Sequence, residues 1–254
     1  MIRPSDRLVL SGPEDVAREA AVQITKIAEE VLGTGREFRL VPSGGSTPKR
    51  LYDIPARDGV RSDGFWNRVH FFWGDERCVG PDDPDSNYRT ARETLLAPLG
   101  IIETHVHRMR GESSDPDAAA REYEADIRRH FNWGTRTVPP SFDLVLLGMG
   151  SDGHTASLFP ETPALMETVR WVVANPVFKL GAHRLTLTIP IINRASWVIV
   201  LAAGAEKAQT LAQVLEGPWD PERLPAQSIR PTTGKMLWLV DRDAAAGLRP
   251  VRGG

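Results

Sequence analysis

The stretch Phe142-Asp143-Leu144-Val145-Leu146-Leu147-Gly148-Met149-Gly150-Ser151-Asp152-Gly153-His154 decides the fold. Leu144 to Leu147 is apolar at every position, as expected of a strand in a parallel sheet with helices on both faces. It ends in a glycine turn that carries Asp152 and His154. In such sheets, loops beyond the carboxyl ends of strands hold ligands, so a general base is expected on this loop.

Outward from there, short apolar runs recur along the chain: Phe38 to Val41, Val69 to Trp73, Trp171 to Ala174, Arg184 to Thr188, Trp197 to Leu201 and Met236 to Val240. Between them lie candidate helices. Pro13 to Leu32 carries Val16, Ala20, Ile24, Ile27 and Val31 at spacings of three and four, with Pro13 in a tolerated first-turn position. Pro48 to Asp53, Tyr88 to Ala97, Asp117 to Phe131 and Ala205 to Leu215 read as further helices. The pattern predicts the α/β class, a three-layer α/β/α architecture with a mostly parallel, Rossmann-like sheet. Residues 1–254 are expected to form one domain, since no repeat, heptad run or low-complexity tract divides them. The polar stretches Gly80 to Asp85 and Gly111 to Pro116 read as loops, and Arg249 to Gly254 as a frayed tail.

Composition narrows the function classes. The 254 residues are 41% hydrophobic and 25% charged, enough for a full core, and the net charge of −2 offers no basic face for duplex nucleic acid. A small-molecule partner is expected, with no nucleic acid and no membrane. Cys78 is the only cysteine, so an intrachain disulfide and a cysteine zinc cluster are excluded. No apolar run approaches the roughly 18 residues of a membrane span, and no signal-peptide core follows Met1, so the cytoplasm is the expected compartment.

Four strand ends are candidates for a site. Ser43-Gly44-Gly45-Ser46-Thr47-Pro48 follows the run at Val41; its backbone N–H groups and hydroxyls at a helix start make an anion cradle, though an ordinary capped turn reads the same way. Gly74-Asp75-Glu76-Arg77 follows Trp73, and on an extended backbone Asp75 and Arg77 face one side, as a cleft pair or as a structural ion pair. Ser86 or Asn87 reads as a helix cap. Gly148 to Gly153 satisfies G-x-G-x-x-G after a strand, a dinucleotide fingerprint. That reading is set aside, because Pro160 and Pro163 cut the following helix short and Glu167 precedes the next strand instead of ending it. Finally Arg184 and Lys207 are cations near strand ends that, with the Ser43 to Thr47 loop, suit a phosphate.

These motifs, in this order, resemble the 6-phosphogluconolactonases over nearly the whole chain. Gly148 to Pro160 and the run Arg184 to Pro190 carry most of the likeness. The resemblance implies hydrolysis of 6-phospho-D-glucono-1,5-lactone to 6-phosphogluconate, in the oxidative pentose phosphate pathway, with no metal and no organic cofactor. Glucosamine-6-phosphate deaminase belongs to the same superfamily, but its pattern carries a glutamate where this chain has Phe159, which disfavours isomerase or deaminase chemistry. A non-catalytic sugar-phosphate sensor is the alternative from another class.

On this reading Ser43, Gly44, Gly45, Ser46, Thr47, Arg184 and Lys207 bind the phosphate. His154 is the general base, Asp152 or Asp75 orients it, and Arg77 serves either the oxyanion or the phosphate. The protein is expected to be a monomer or a small homo-oligomer. His105 and His107 alternate as metal ligands would, but no acidic or cysteine partner stands at ligand spacing, so no metal is expected. Trp73, Trp171, Trp197 and Trp238 fall in or beside strands and read as core, and Cys78 as a packed side chain.

Overall fold

The computed structural model describes residues 6–57 and 64–249. Seven strands form one sheet: β1 (Arg7–Leu10), β2 (Phe38–Val41), β3 (Val69–Phe72), β5 (Val106–His107), β6 (Leu144–Gly148), β9 (Trp197–Ala202) and β10 (Lys235–Asp241). Their order is β1-β10-β9-β6-β2-β3-β5, and every neighbouring pair is parallel. The chain winds outward in opposite directions from the gap between β2 and β6, so these two carboxyl ends flank the crevice that open α/β sheets use for ligands.

The expected helix at Pro13 to Leu32 forms over those residues as α1, with Pro13 at its start and Val16, Ala20, Ile24 and Ile27 buried. The other main helices are α2 (Ser46–Arg57), α3 (Asn87–Ala91), α4 (Pro116–His130) and α6 (Ala208–Glu216); α5 (Ile189–Ile192) is a single turn. Asp115 caps α4 by accepting from Ala118 N at 2.9 Å, with Pro116 at the first helical position. The expected helix from Tyr88 to Ala97 is α3 running into a π turn over Arg92–Leu96. Leu144 to Leu147, Val198 to Ala202 and Trp238 to Val240 are all buried, as strands covered on both faces must be. Trp73, Trp171 and Trp238 lie in the core, and Trp197 packs against it.

Two apolar runs go elsewhere. β7 (Val172–Val177) and β8 (Ala182–Leu187) pair antiparallel and leave the main sheet, with β4 (Asp75–Arg77) completing a second sheet in the order β4-β8-β7. β4 carries only charged residues, so its sequence shows no strand periodicity. Pairing with β8 buries Asp75 and Glu76 nonetheless, because both find partners.

Candidate active site

Parallel pairing brings four carboxyl ends to one edge of the sheet. β9, β6, β2 and β3 are consecutive neighbours, and the loops that follow them carry Lys207, His154, Ser43 to Thr47 and Asp75. One cleft is lined by Ser43, Gly44, Gly45, Thr47, Asp75, Arg77, Asn87, His154 and Lys207. Residues spread over most of the chain thus converge, as the strand-end reading expects.

The loop after β2 is held from beneath. The buried Tyr52 hydroxyl accepts from Ser43 N at 2.9 Å and donates to Ser43 O at 2.5 Å. Gly44 passes against Asn87: a Cβ on Gly44 would lie 2.0 Å from Asn87 Oδ1. α2 then begins at Ser46, with its first bond from Lys49 N to Gly45 O at 3.1 Å. The N–H groups of a first helical turn have no partner within the helix, and the helix dipole there favours an anion. Of Ser46 only the backbone is described, while Thr47 is buried at the cleft wall.

Cations rim this cradle. Lys207 closes the turn Ala205–Lys207 ahead of α6, and burial lowers its pKa against the opposing pull of Glu206 and Asp241. Arg77 on β4 stands directly opposite Arg184 on β8. Burial and then the Arg77 charge lower the Arg184 pKa, against the opposing pull of Asp75. Arg77 also donates to the Asp85 carbonyl. Arg184 stands behind Arg77 and outside the lining of the cleft itself.

The loop after β6 builds an acid–base pair. His154 Nδ1 lies 2.5 Å from Asp152 Oδ1, which also accepts from His154 N at 3.2 Å. Lys179 Nζ takes the other oxygen of Asp152. Burial alone would raise the Asp152 carboxyl, but the bonds from His154 and Lys179 outweigh it and hold the group well below the usual carboxylate range. Gly150 makes room: a Cβ there would lie 2.1 Å from His154 Nδ1 and 2.8 Å from Asp152 Oδ1. The His154 ring stacks on Phe159 at 4.2 Å between centroids and an interplanar angle of 24°. With Nδ1 committed to Asp152, Nε2 is the nitrogen left for chemistry.

Asp75 does not orient the histidine. Its carboxylate accepts from Ser157 Oγ at 2.7 Å and from Asn87 Nδ2 at 3.4 Å, which ties β4 to the loop carrying His154. Glu76 turns away from the cleft. It accepts from the backbone N–H groups of Arg77, Asn87 and Tyr88, each at 2.8 Å, and from Ser86 Oγ at 3.1 Å. Ser86 is the cap of α3, accepting from Arg89 N at 3.1 Å, which leaves Asn87 free to face the cleft. Lys179 was missed in the sequence. It sits in the turn between β7 and β8, and nothing in its spacing points to Asp152. Asn87 was legible only as a capping residue, because its reach to Asp75 depends on the packing of α3 against β4.

The fold and this cleft define an α/β protein with a histidine–carboxylate pair beside an anion cradle. The model of the family described as glucosamine-6-phosphate isomerases/6-phosphogluconolactonase matches residues 11–238, and the chain belongs to that family. A 6-phosphogluconolactonase of Synechocystis sp. is 44% identical over 242 residues, which is 95% of this chain and 98% of that one. The structure of the 6-phosphogluconolactonase from Trypanosoma cruzi is similar with a TM-score of 0.85 at 31% identity, covering 96% of this chain and 97% of that one. A monomeric glucosamine-6-phosphate deaminase shares the fold, with a TM-score of 0.75 at 21% identity over 95% and 99% of the two chains.

Proposed function

We propose that the protein hydrolyses 6-phospho-D-glucono-1,5-lactone to 6-phosphogluconate. The carrying observation is the His154–Asp152 pair opening onto the same cleft as the Ser43 to Thr47 cradle, with Phe159 packed under the histidine where a deaminase would place an acid. The phosphate lies on the cradle, neutralised by Lys207 and Arg77, with Arg184 adding its charge from outside the cleft lining. Binding this remote dianion fixes the lactone carbonyl relative to His154. Arg77 joins the phosphate clamp on this reading, because it faces Arg184 across the β4–β8 pair.

Neutral His154 takes a proton from water at Nε2 as the water oxygen bonds to C1. Asp152 holds the imidazole by Nδ1 and stabilises the imidazolium that forms. The tetrahedral intermediate then expels the ring oxygen, which receives that proton as the C5 hydroxyl, and the product acid ionises. Asp75 and Asn87 set the wall facing this step. The enzyme acts in the cytoplasm, which its lone free thiol, Cys78, supports. Among the described residues no helix is long and apolar enough to cross a membrane.

The test is to supply fresh 6-phosphogluconolactone and follow acid release above the spontaneous rate, beside glucosamine 6-phosphate with ammonia detection. Acid release alone is expected. Ammonia release would replace the proposal with deamination, and neither product would leave a sugar-phosphate sensor.

A further inference from the structure

Four of the chain's six histidines meet at the outer edge of the main sheet. His70 comes from β3, His107 from the edge strand β5 and His130 from the last turn of α4, while His105 stacks on His70 at 4.2 Å. One ring nitrogen from each of His70, His107 and His130 lies within 4.8 Å of the others. We propose that His70, His107 and His130 form a binding site for a divalent d-block cation of the zinc type, separate from the catalytic cleft.

The proton positions carry the inference. His107 Nδ1 lies 2.8 Å from Asp126 Oδ2, and that bond holds the Asp126 carboxyl below its ordinary value. The carboxylate therefore keeps the His107 proton on Nδ1, and Nε2 presents a lone pair. That lone pair is 3.1 Å from His70 Nδ1. If His70 answered with an N–H, its own Nε2 would be a bare lone pair. Yet His70 Nε2 is buried, makes no hydrogen bond, and has the Glu37 carboxylate 3.3 Å away. A lone pair facing an anion in a buried place is unfavourable.

A shared cation removes the conflict. With His70 Nδ1 and His107 Nε2 both on the metal, the His70 proton moves to Nε2 and points at Glu37. His70 and His107 then each have a carboxylate on the second nitrogen, the arrangement that orients metal-bound imidazoles. Burial, followed by neighbouring rings, lowers His70 to about 4 and His130 to about 3, so both are neutral near pH 7, as ligands must be. Tetrahedral zinc places nitrogens about 2.0–2.1 Å from the ion, so ring rotations that draw the three nitrogens in by roughly an ångström complete the site, with the fourth position open. Phe72 stacks flat on His107 at 4.2 Å and fixes that ring. The opposing charge is Arg39, whose Nε donates to His130 Nε2 at 3.3 Å, a bond that His130 gives up when its one lone pair goes to the ion. Asp126 and Glu37 face it from the other sides, and Arg129 also holds Asp126, at 2.8 Å.

The experiment is titration of chelator-stripped protein with Co2+, read by visible absorption, and then with Zn2+ as competitor. One equivalent of Co2+ is expected, with the intense bands of a low-coordinate site, displaced by Zn2+ and accompanied by a higher thermal midpoint. His107→Gln and His130→Gln, each checked for fold by circular dichroism, abolish the bands. Asp126→Asn weakens binding roughly 10–100-fold, as loss of a carboxylate behind a ligand does. His154→Gln leaves the bands in place. No stoichiometric binding to the native protein overturns the proposal, as does loss of the bands in His154→Gln with retention in His107→Gln.

Discussion

Two histidines in this molecule are held alike and are surrounded differently. His154 and His107 each direct Nδ1 at an aspartate, at 2.5 and 2.8 Å. Around His154 the remaining nitrogen looks into a cleft rimmed by cations, and Lys179 shares the aspartate. Around His107 the remaining nitrogen meets two more imidazoles. The orienting carboxylate is common to both, so what faces the second nitrogen separates the proposed proton acceptor from the proposed ligand.

The largest effect that sharpens this contrast is loss of the pair at the cleft. His154→Ala lowers kcat/KM by about 10²- to 10⁴-fold in a lactonase assay corrected for spontaneous hydrolysis, the usual range for a general base. Gly150→Ala, whose Cβ would strike both His154 and Asp152, is expected to match it. His107→Ala leaves turnover near the native rate. A large loss there would break the separation between the two regions.

The clamp comes next. Lys207→Ala removes a charge-assisted contact of about 1.5–3 kcal/mol, so KM rises roughly 10- to 150-fold with a smaller change in kcat, and Arg184→Ala, which acts from outside the cleft lining, raises KM less. A fall in kcat at unchanged KM would place these cations at the reacting carbonyl instead.

The histidine cluster shows itself in stability. His70 and His130 fall from an ordinary 6.5 to about 4 and about 3 in the folded, metal-free protein. As the pH drops below 6.5 the unfolded chain takes up protons that the folded one refuses, so stability is full above that value and is lost progressively down to about pH 3. Thermal midpoints measured across this window fall less steeply in His70→Gln/His130→Gln than in the native protein, whereas His154→Gln retains the steep loss that the cluster contributes. An unchanged slope in the double variant would break the assignment.

The smallest effect concerns Phe159. Phe159→Leu removes a stacked ring beneath His154, worth about 0.5–1.5 kcal/mol, and lowers kcat/KM by a factor of roughly 2 to 10. Substrate affinity is expected to stay near native.

Much of the catalytic region was legible in the chain because its signals are local. Leu144 to Leu147 reads as a two-face-buried strand, Gly148 to Gly153 as a turn, and the motifs at Ser43, Gly74 and Gly148 follow apolar runs closely. The histidine–aspartate pair spans two residues, so its partner was one of two candidates from the start, and only packing chose Asp152 over Asp75. β4 stayed hidden because Asp75-Glu76-Arg77 has no apolar alternation, and its burial depends on Ser157, Asn87 and the amides of α3.

The histidine cluster was invisible for the opposite reason. His105 and His107 lacked a ligand partner at sequence spacing, and the fold supplies His70, His130 and Asp126 from β3 and α4. Hydrophobic periodicity and turn chemistry act over a few residues, and so the sequence alone determined the longer strands, though not β1, β4 or β5, together with the main helices and the loops that would carry chemistry. Parallel pairing in the order β9-β6-β2-β3 set those loops side by side, the antiparallel β4-β8-β7 sheet put Arg184 opposite Arg77 and Lys179 on Asp152, and β3, β5 and α4 brought three imidazoles within reach of one ion. Those juxtapositions are long-range contacts, fixed by how the whole chain buries its apolar faces, and only the tertiary structure decided them.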